Sequence, residues 1–272
     1  MNDYLRSIIL GVIEGFSEFL PISSTGHMIL AQPLLDVDKT QPPWSTLLWV
    51  SQLGAIAAVV EFTWRDLWRR TFHARRPGWA QHIVTKLTLA MVPTIGLALL
   101  LHDYAERYLE NPPMVAVGLL LGAAAMWYID RRFRGGGTME IEDVTLRQAF
   151  WIGVIQCLSM WSGISRAAAT ILGGMALGLT PRVATEFSFY LAIPTMLAAS
   201  IMTLWNEQDG LTADHLAVVL TGTMAAFVVA RLVVAGFLRF VRTHRFTAFV
   251  VYRVVLGLLV LAWYWAENRG LL

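Results

Sequence analysis

Two carboxylates in an apolar stretch near the start of the chain are the first residues whose types and spacing suggest chemistry. Glu14 and Glu18 stand four residues apart, so on a helix both side chains lie on one face. Carboxylates at membrane depth are costly and are generally functional. The pair suits a divalent cation, Mg²⁺ or Ca²⁺, or two coupled groups that share a proton. The alternative is a short helix near the outer interface whose glutamates extend into water.

A run of hydroxyl side chains and a histidine follows Pro21. It consists of Ser23, Ser24, Thr25 and, after a glycine, His27. One hydroxyl would suffice to cap the next helix, so three exceed that need. A helix N-terminus also offers unpaired N–H groups and a positive dipole end to an anion. The run therefore predicts an anion site with His27 as an acid–base candidate, although a lone histidine is more often structural.

A second polar pair, Ser165 and Arg166, follows a glycine later in the chain. An arginine within apolar sequence needs an anionic partner, and its planar fork suits phosphate oxygens. The alternative is a structural ion pair with Glu14, Glu18 or Glu186, which does not exclude phosphate binding.

Other polar residues at membrane depth are expected to support the site from behind. They are Gln52, Glu186, Tyr252 and Arg253. Arg231 and Lys86 could equally extend toward the interface.

The composition places these residues in a membrane. The chain has 272 residues, of which 56% are hydrophobic and 15% charged, whereas a soluble domain is about a quarter charged. Six apolar stretches approach the roughly 20 residues that cross a hydrocarbon core. They cover about 45–64, 83–101, 113–129, 183–204, 215–238 and 247–266. The N-terminus lacks the cleavage site of a removable signal peptide, and the single Cys157 excludes an internal disulfide.

Two shorter apolar stretches repeat each other. Residues 11–30 and 153–172 align without a gap at an offset of 142 residues, with eight of twenty positions identical. Because three spans follow each copy, the second copy begins on the opposite side of the membrane. A helix from Tyr4 to Glu18 reaches only about 22 Å before Pro21 interrupts it. Each copy is therefore expected to enter the membrane and return, lining a cavity.

The predicted fold is an all-α integral membrane protein with an inverted-topology repeat, six transmembrane helices and two re-entrant helical hairpins. A single membrane domain covers residues 1–272, with inverted repeats at about 1–130 and 147–272. In such folds the site usually lies near the midplane, between the repeats.

Arginines concentrate in three of the loops between spans, and the intervening loops are mostly acidic. The arginines are Arg65, Arg69, Arg70, Arg75 and Arg76, then Arg131, Arg132, Arg134 and Arg147, then Arg239, Arg242 and Arg245. The positive-inside rule predicts that these three loops are cytoplasmic. Since topology accounts for the basic loops, no nucleic-acid partner is expected.

The first motif resembles a known family. From Glu14 to His27 the chain reads EGFSEFLPISSTGH, which closely matches the first signature of the undecaprenyl-diphosphate phosphatases of the bacitracin-resistance type. The similarity covers essentially the whole chain and includes QLG at 52–54, EFSF at 186–189 and YR at 252–253. It implies a multi-pass enzyme of the bacterial inner membrane that hydrolyses a C55 isoprenyl diphosphate to the monophosphate. That reaction recycles the carrier lipid for peptidoglycan synthesis and cell-wall biogenesis.

The resemblance also implies roles for individual residues. The catalytic set is Glu14, Glu18, Ser24, His27 and Arg166, and the phosphate-binding set is Ser23, Thr25, Ser165 and Arg166. Ser24 is expected to be the nucleophile with His27 as its acid–base partner, although attack by His27 or by water stays open. Glu14 and Glu18 would bind Mg²⁺ or Ca²⁺, or one of them would activate the attacking group. The lipid substrate would enter from the outer, periplasmic face among membrane lipids, and a homodimer is one open assembly.

The second motif departs from the family pattern. The family reads Pro-Gly-x-Ser-Arg-Ser-Gly, whereas residues 162–168 read SGISRAA. Ala167 lacks a hydroxyl that could contact phosphate, and Ala168 adds a methyl group where close backbone approach could be required. Two alternatives follow: a paralogue that acts on another lipid phosphate, and a transporter of isoprenyl-phosphate lipids or anions, since inverted repeats and broken helices are also typical of carriers.

Overall fold

The computed structural model describes residues 1–38, 40–73, 78–109, 111–206 and 212–269, without the side chains of residues 98, 102, 103, 105, 106 and 202–206. Regular structure within these residues is helical, apart from one isolated bridge between Thr138 and Leu179. The α-helices of the described residues are α1 (Asp3–Ser17), α2 (Ser24–Leu34), α3 (Trp44–Phe72), α4 (Ile83–Leu109), α5 (Pro112–Arg132), α6 (Leu146–Gln156), α7 (Arg166–Ala176), α8 (Pro181–Asn206), α9 (Ala213–Thr243) and α10 (Thr247–Glu267).

Six of these helices are long and apolar enough to cross a membrane, which confirms the six predicted spans. They are α3, α4 over Ile83–Leu101, α5, α8 over Pro181–Ile201, α9 and α10. Helix α3 continues beyond the predicted end at residue 64 as far as Phe72. Arg69 and Arg70 lie in its last turn, where cations interact favourably with the helix dipole. The all-α membrane fold is therefore confirmed at this level.

The four short helices form two contacting pairs, α1 with α2 and α6 with α7. The first pair is broken at the segment that contains Pro21, and the second at the segment that contains Gly163, as the sequence predicted. Ser23 and Ser165, the N-cap residues of α2 and α7, both adopt a positive φ, of 73° and 75°. Because this conformation is uncommon for residues other than glycine, the match indicates that the two breaks are built alike.

Glycines at matching positions of the two motifs allow close helix packing. A Cβ added at Gly11 of α1 would lie 2.1 Å from the carbonyl oxygen of Gly222 in α9. A Cβ added at Gly153 of α6 would lie 2.0 Å from the carbonyl oxygen of Ala90 in α4. Helices α1 and α6 thus each pack against a long helix from the other half of the chain, so the halves interdigitate.

Two cationic side chains that the sequence left unassigned have different environments. Lys86 is buried, and its ammonium group donates to the carbonyl oxygens of Glu142 at 2.7 Å and Ile141 at 3.4 Å. Arg231 is exposed and pairs with Glu61 at 2.8 Å. Lys86 therefore anchors the loop between α5 and α6. Of the arginines that predicted the topology, Arg75 and Arg76 lie outside the described residues.

We expect Gly11→Ala to lower the melting temperature of the purified protein in detergent. The new methyl group would meet a backbone carbonyl that cannot rotate away, so α1 must separate from α9 at a cost of about 1–3 kcal/mol. Gly236→Ala in α9 is the matched control, because a Cβ there meets nothing within 4 Å. Equal melting temperatures for the two variants would contradict the close packing of α1 on α9.

Candidate active site

The site is built around Glu18, which follows the last residue of α1 and is 7% exposed. One carboxylate oxygen, Oε2, accepts a hydrogen bond from the Ser24 hydroxyl at the start of α2. The other, Oε1, accepts from Arg166 Nη2 at 3.1 Å and Nε at 3.4 Å. One carboxylate thus joins a hydroxyl of the first motif to the arginine of the second. Of the partners considered for Arg166, the structure selects Glu18.

Glu14 lies one turn before Glu18 and is 1% exposed. Its Oε1 atom is buried and accepts no hydrogen bond from any described residue. Its carboxylate lies beside Glu18 and within electrostatic reach of Arg166. Both glutamates therefore point into the protein, and the alternative in which they extend into water is wrong.

Ser23 and Ser165 link the two breaks to each other. The Ser23 hydroxyl accepts from the backbone N–H of Gly26 at 3.3 Å and from that of Gly163 in the other motif at 3.0 Å. The Ser165 hydroxyl accepts from Ala168 N–H at 3.2 Å and donates to the Leu20 carbonyl oxygen at 3.5 Å. Each serine thus caps its own helix and contacts the opposite motif. Phosphate binding by these two hydroxyls stays a prediction.

His27 has both ring nitrogens engaged. Nδ1 lies 2.6 Å from the Ser23 carbonyl oxygen, and Nε2 lies 2.5 Å from the Tyr252 hydroxyl. A carbonyl oxygen can only accept, so Nδ1 carries the proton in the neutral ring and Nε2 accepts from the tyrosine. The Tyr252 ring also stacks on the imidazole at an angle of 7°. Ser24 therefore contacts Glu18 rather than His27, which favours the version in which a glutamate activates the attacking group.

Arg253 is fully buried and donates five hydrogen bonds, all to backbone carbonyl oxygens. The acceptors are Pro21 at 2.9 Å, Gly163 at 2.7 Å, Ile164 at 3.1 Å, Leu119 at 3.2 Å and Gly118 at 3.2 Å. The guanidinium thus joins both helix breaks to α5. With its donors engaged, Arg253 supports the site from behind, as the sequence predicted, and holds the shape of both loops.

The remaining predicted residues lie apart from this cluster. Thr25 is exposed at the second position of α2, and Gln52 is half-buried in α3. Glu186 pairs with Arg182 at 2.8 Å and lines a cavity of about 320 Å³ toward the arginine-rich end of α3 and α9. The structure records no contact of these three residues with Glu18 or Arg166 among the described residues.

Sequence reasoning missed two groups around Arg166. The Ser188 carbonyl oxygen accepts from Arg166 Nη1 at 3.4 Å, and the Phe19 ring lies 5.6 Å from its guanidinium carbon. A backbone carbonyl has no sequence signature, but Phe19 adjoins Glu18 and could have been suspected as a cation–π partner. Both groups therefore help to hold the Arg166 guanidinium in place.

The two departures in the second motif fall in the core. Ala167 and Ala168 are 0% and 1% exposed and belong to the main buried cluster. The Ala168 N–H still caps on Ser165, so the extra methyl group does not prevent the loop from closing. Both side chains pack in the same core cluster as Phe19 and Leu20.

The donors around Glu14 suit a hard cation. The two adjacent carboxylates of Glu14 and Glu18, including the unpartnered Oε1 of Glu14, offer only oxygen. No group of three or more His, Cys, Asp or Glu side chains is placed to hold a metal within the described residues. The set fits Mg²⁺, which typically takes one or two carboxylates and completes its shell with water and substrate phosphate.

We expect Arg253→Lys to destabilise the protein strongly. One ammonium group cannot reach five carbonyl oxygens, and buried acceptors left without a donor cost about 1–3 kcal/mol each. Thermal unfolding in detergent should show a large decrease in melting temperature. The control is Arg231→Lys, whose parent arginine is exposed and makes one ion pair. Similar melting temperatures for both variants would contradict the structural role of Arg253.

Comparison with known proteins shows the family of the chain. Over 262 residues, or 96% of each chain, the protein is 39% identical to Undecaprenyl-diphosphatase 1 of Chromobacterium violaceum. It is 40% identical to Undecaprenyl-diphosphatase of Deinococcus radiodurans, over 95% of this chain and 94% of the relative. The protein of the same name from Rhodopseudomonas palustris is 39% identical over 95% and 96%. The family model for the bacitracin resistance protein BacA matches residues 7–259, and the chain therefore belongs to the BacA family.

Proposed function

We propose that this protein is an undecaprenyl-diphosphatase, which hydrolyses a C55 isoprenyl diphosphate to the monophosphate. Full-length relatives of that name support the activity and the substrate. The observation that carries the chemistry is the Glu18 carboxylate, which accepts from the Ser24 hydroxyl on one oxygen and from Arg166 on the other. This arrangement unites a nucleophile, a base and an anion-binding cation around a single carboxylate.

In the first step, Ser24 Oγ attacks the terminal phosphorus atom and its proton passes to Glu18 Oε2. The bond between that phosphorus and the bridging oxygen breaks, and the isoprenyl monophosphate leaves. Protonation removes the charge from Glu18 and so weakens its ion pair with Arg166. The guanidinium is then free to stabilise charge on the transferred phosphoryl group, with the α2 and α7 N-termini beside it.

In the second step, water attacks the phosphorus atom of the phosphoserine and gives a proton to Nε2 of His27. The bond between phosphorus and Ser24 Oγ breaks, the proton held by Glu18 returns to Oγ, and inorganic phosphate leaves. His27 is the proposed acid–base group here, because its neutral ring has an unprotonated Nε2. The Tyr252 hydroxyl, 2.5 Å from Nε2, holds that nitrogen in the accepting state until water or substrate displaces it. The Nδ1 contact with the Ser23 carbonyl oxygen fixes the ring orientation.

A divalent cation, Mg²⁺ or Ca²⁺, is the proposed cofactor, held by Glu14 and Glu18. When bound, it would supply positive charge to the diphosphate oxygens. Glu14 supports this assignment because a cation would satisfy its buried carboxylate oxygen that receives no hydrogen bond from a donor. A proton shared between Glu14 and Glu18, whose carboxylates are in contact, is the alternative to a cation.

We further propose that the chain is one membrane domain of two inverted repeats, about 1–130 and 147–272, with re-entrant hairpins at α1–α2 and α6–α7. Two observations support the repeat. Ser23 and Ser165 have matching φ values. Gly11 packs on α9 in the second half, and Gly153 packs on α4 in the first half. The arginine-rich loops would be cytoplasmic and the site would open to the periplasmic face of a bacterial inner membrane. Membrane lipids surround the substrate tail, and a homodimer is one possible assembly to test by its mass in detergent.

Hydrolysis and transport are separated by phosphate release from the purified protein. We expect the protein with a polyprenyl diphosphate and Mg²⁺ in detergent to release inorganic phosphate, and Arg166→Ala to release far less. Release no greater than that of Arg166→Ala would instead favour a lipid or anion transporter. Comparison of polyprenyl diphosphates with other lipid phosphates tests the paralogue alternative.

We expect Ser24→Ala to lower kcat by at least about a thousandfold, because it removes the attacking oxygen. Ser17→Ala is the control, since that hydroxyl donates to the Ile13 carbonyl oxygen within its own helix. Rapid acid quench with labelled substrate should trap a phosphoserine at Ser24 in the native protein. Near-normal turnover by Ser24→Ala would exclude Ser24 as the nucleophile and leave His27 or water.

We expect Glu14→Gln to raise the Mg²⁺ concentration for half-maximal activity by about tenfold or more, since it replaces one of two charged ligands. Direct Mg²⁺ binding, measured calorimetrically without substrate, should weaken in parallel. Ser24→Ala should retain the native Mg²⁺ affinity because its carboxylates are unchanged. An unchanged Mg²⁺ dependence in Glu14→Gln would remove Glu14 from the metal site.

A further inference from the structure

A polar cavity, apart from the residues around Glu18, lies at the end of the molecule that carries the arginine-rich loops. It has a volume of about 320 Å³ and is enclosed by the ends of α3 and α9 and the start of α8. A neighbouring cavity of about 530 Å³ shares Arg69, Arg70, Arg182 and Glu186 with it and extends to the loop between α5 and α6. We call the first of these the arginine cavity.

The arginine cavity is lined by five arginines but only two carboxylates. Arg69 pairs with Asp66 at 2.9 Å, and Arg182 pairs with Glu186 at 2.8 Å. Arg70 pairs with Glu142 of the neighbouring loop, but its Nε atom is buried without a hydrogen-bond partner.

Arg239 and Arg242, one turn apart on α9, also line this cavity. Neither has an ion-pair partner within the described part of the chain. Both arginines are exposed, so the cavity presents two guanidinium groups without ion pairs at its rim and one buried donor, Arg70 Nε, without a hydrogen-bond partner. A phosphate monoester carries about 1.5 to 2 negative charges and accepts several hydrogen bonds, so it matches both features.

One wall of the arginine cavity is apolar. Phe62, Ala235 and Leu238 line it, and Phe62 is 46% exposed on the outer surface of the membrane-spanning helix α3. A ligand held by the arginines could thus extend an alkyl or isoprenyl chain past Phe62 into the bilayer. This juxtaposition of a basic floor and a lipid-facing wall favours a phosphate carried on a lipid over a free phosphate.

The arginine cavity is separate from the catalytic cluster, which consists of Glu14, Glu18, Ser24, His27 and Arg166. Its wall includes Phe189, which is fully buried and contacts Phe19 edge to face at 5.4 Å between ring centroids. Phe19 in turn lies against Arg166 on the catalytic side. No catalytic residue lines the cavity, so occupancy of the two sites is physically distinct.

We propose that the arginine cavity is a second binding site, which takes a lipid phosphate monoester through Arg70, Arg239 and Arg242. The site does not depend on the proposed hydrolysis, because it uses none of the residues assigned to that reaction. Its position predicts that it faces the side of the membrane opposite the catalytic opening.

The test uses the full-length protein in detergent, with farnesyl phosphate as the lipid monoester. Native mass spectrometry counts bound ligands, and calorimetry measures affinity, in the native protein and in Arg239→Gln/Arg242→Gln. The matched control is Arg147→Gln/Arg245→Gln, which removes the same charge from two arginines that are likewise exposed but do not line the cavity. Each protein is also measured with Arg166→Ala added, to remove binding at the catalytic cluster. Diphosphate hydrolysis and melting temperature are recorded on the proteins without Arg166→Ala.

We expect two bound farnesyl phosphates in the native protein and one after the Arg166→Ala change. Arg239→Gln/Arg242→Gln should weaken that remaining site at least tenfold and leave hydrolysis and melting temperature near native values. Equal affinity in this variant and in the control would overturn the proposal. Displacement of farnesyl phosphate by phosphatidylglycerol at equal concentration would also overturn it, because the site would then select negative charge rather than a monoester.

Inorganic phosphate identifies the source of the ligand. If inorganic phosphate binds at least tenfold more weakly than farnesyl phosphate, the ligand is a lipid, because the apolar wall at Phe62 then contributes to binding. Equal binding would overturn the assignment to a lipid. Hydrolysis is measured separately from binding. If the native protein failed to hydrolyse the diphosphate, that result would contradict the proposed function but not this binding site.

Discussion

The structure depends on how two irregular loops satisfy their backbone hydrogen bonds inside a membrane protein. A helix that breaks inside a protein exposes carbonyl oxygens, and each one left buried and unpaired costs several kcal/mol in an apolar environment. Arg253 solves this problem for both breaks at once, since it donates to Pro21 in one loop and to Gly163 and Ile164 in the other. The loops consequently meet at a single buried guanidinium, and their relative position is set by its planar geometry. The site residues flank these loops.

The two helix breaks have similar backbones but carry different side chains. Ser23 and Ser165 occupy matching caps with nearly the same φ, yet the side chains around them differ. At the position of Glu14, the second motif has Gln156, which is neutral and donates to Thr94 at 2.9 Å. The first motif therefore provides two carboxylates, the Ser24 hydroxyl and a histidine, while the second provides a cation. Glu18 thus contacts Ser24 of its own motif and Arg166 of the other, and the second motif adds no buried negative charge because Gln156 is neutral.

Much of the site could be predicted because its residues are chemically costly where they stand. Glu14, Glu18 and Arg166 interrupt apolar sequence, and only a paired or functional environment accounts for that. Which partner each would choose could not be predicted. Ser24 contacts Glu18 rather than His27, because the turn after Pro21 returns the start of α2 toward the end of α1. Glu186, which a local pattern placed near the site, instead faces Arg182 and a different cavity.

The amino-acid sequence alone specifies the six spans, the position of both helix breaks and the residue types available for phosphate chemistry. Those features follow from local hydropathy, from Pro21 and Gly163, and from the repeated motif. Three further features depend on the tertiary structure: all donors of Arg253 are engaged by the two breaks and α5, Tyr252 contacts Nε2 of His27, and the arginines of α3, α8 and α9 line one cavity. These outcomes depend on side-chain contacts between residues far apart in the chain, and helix packing, rather than local pattern, sets such contacts.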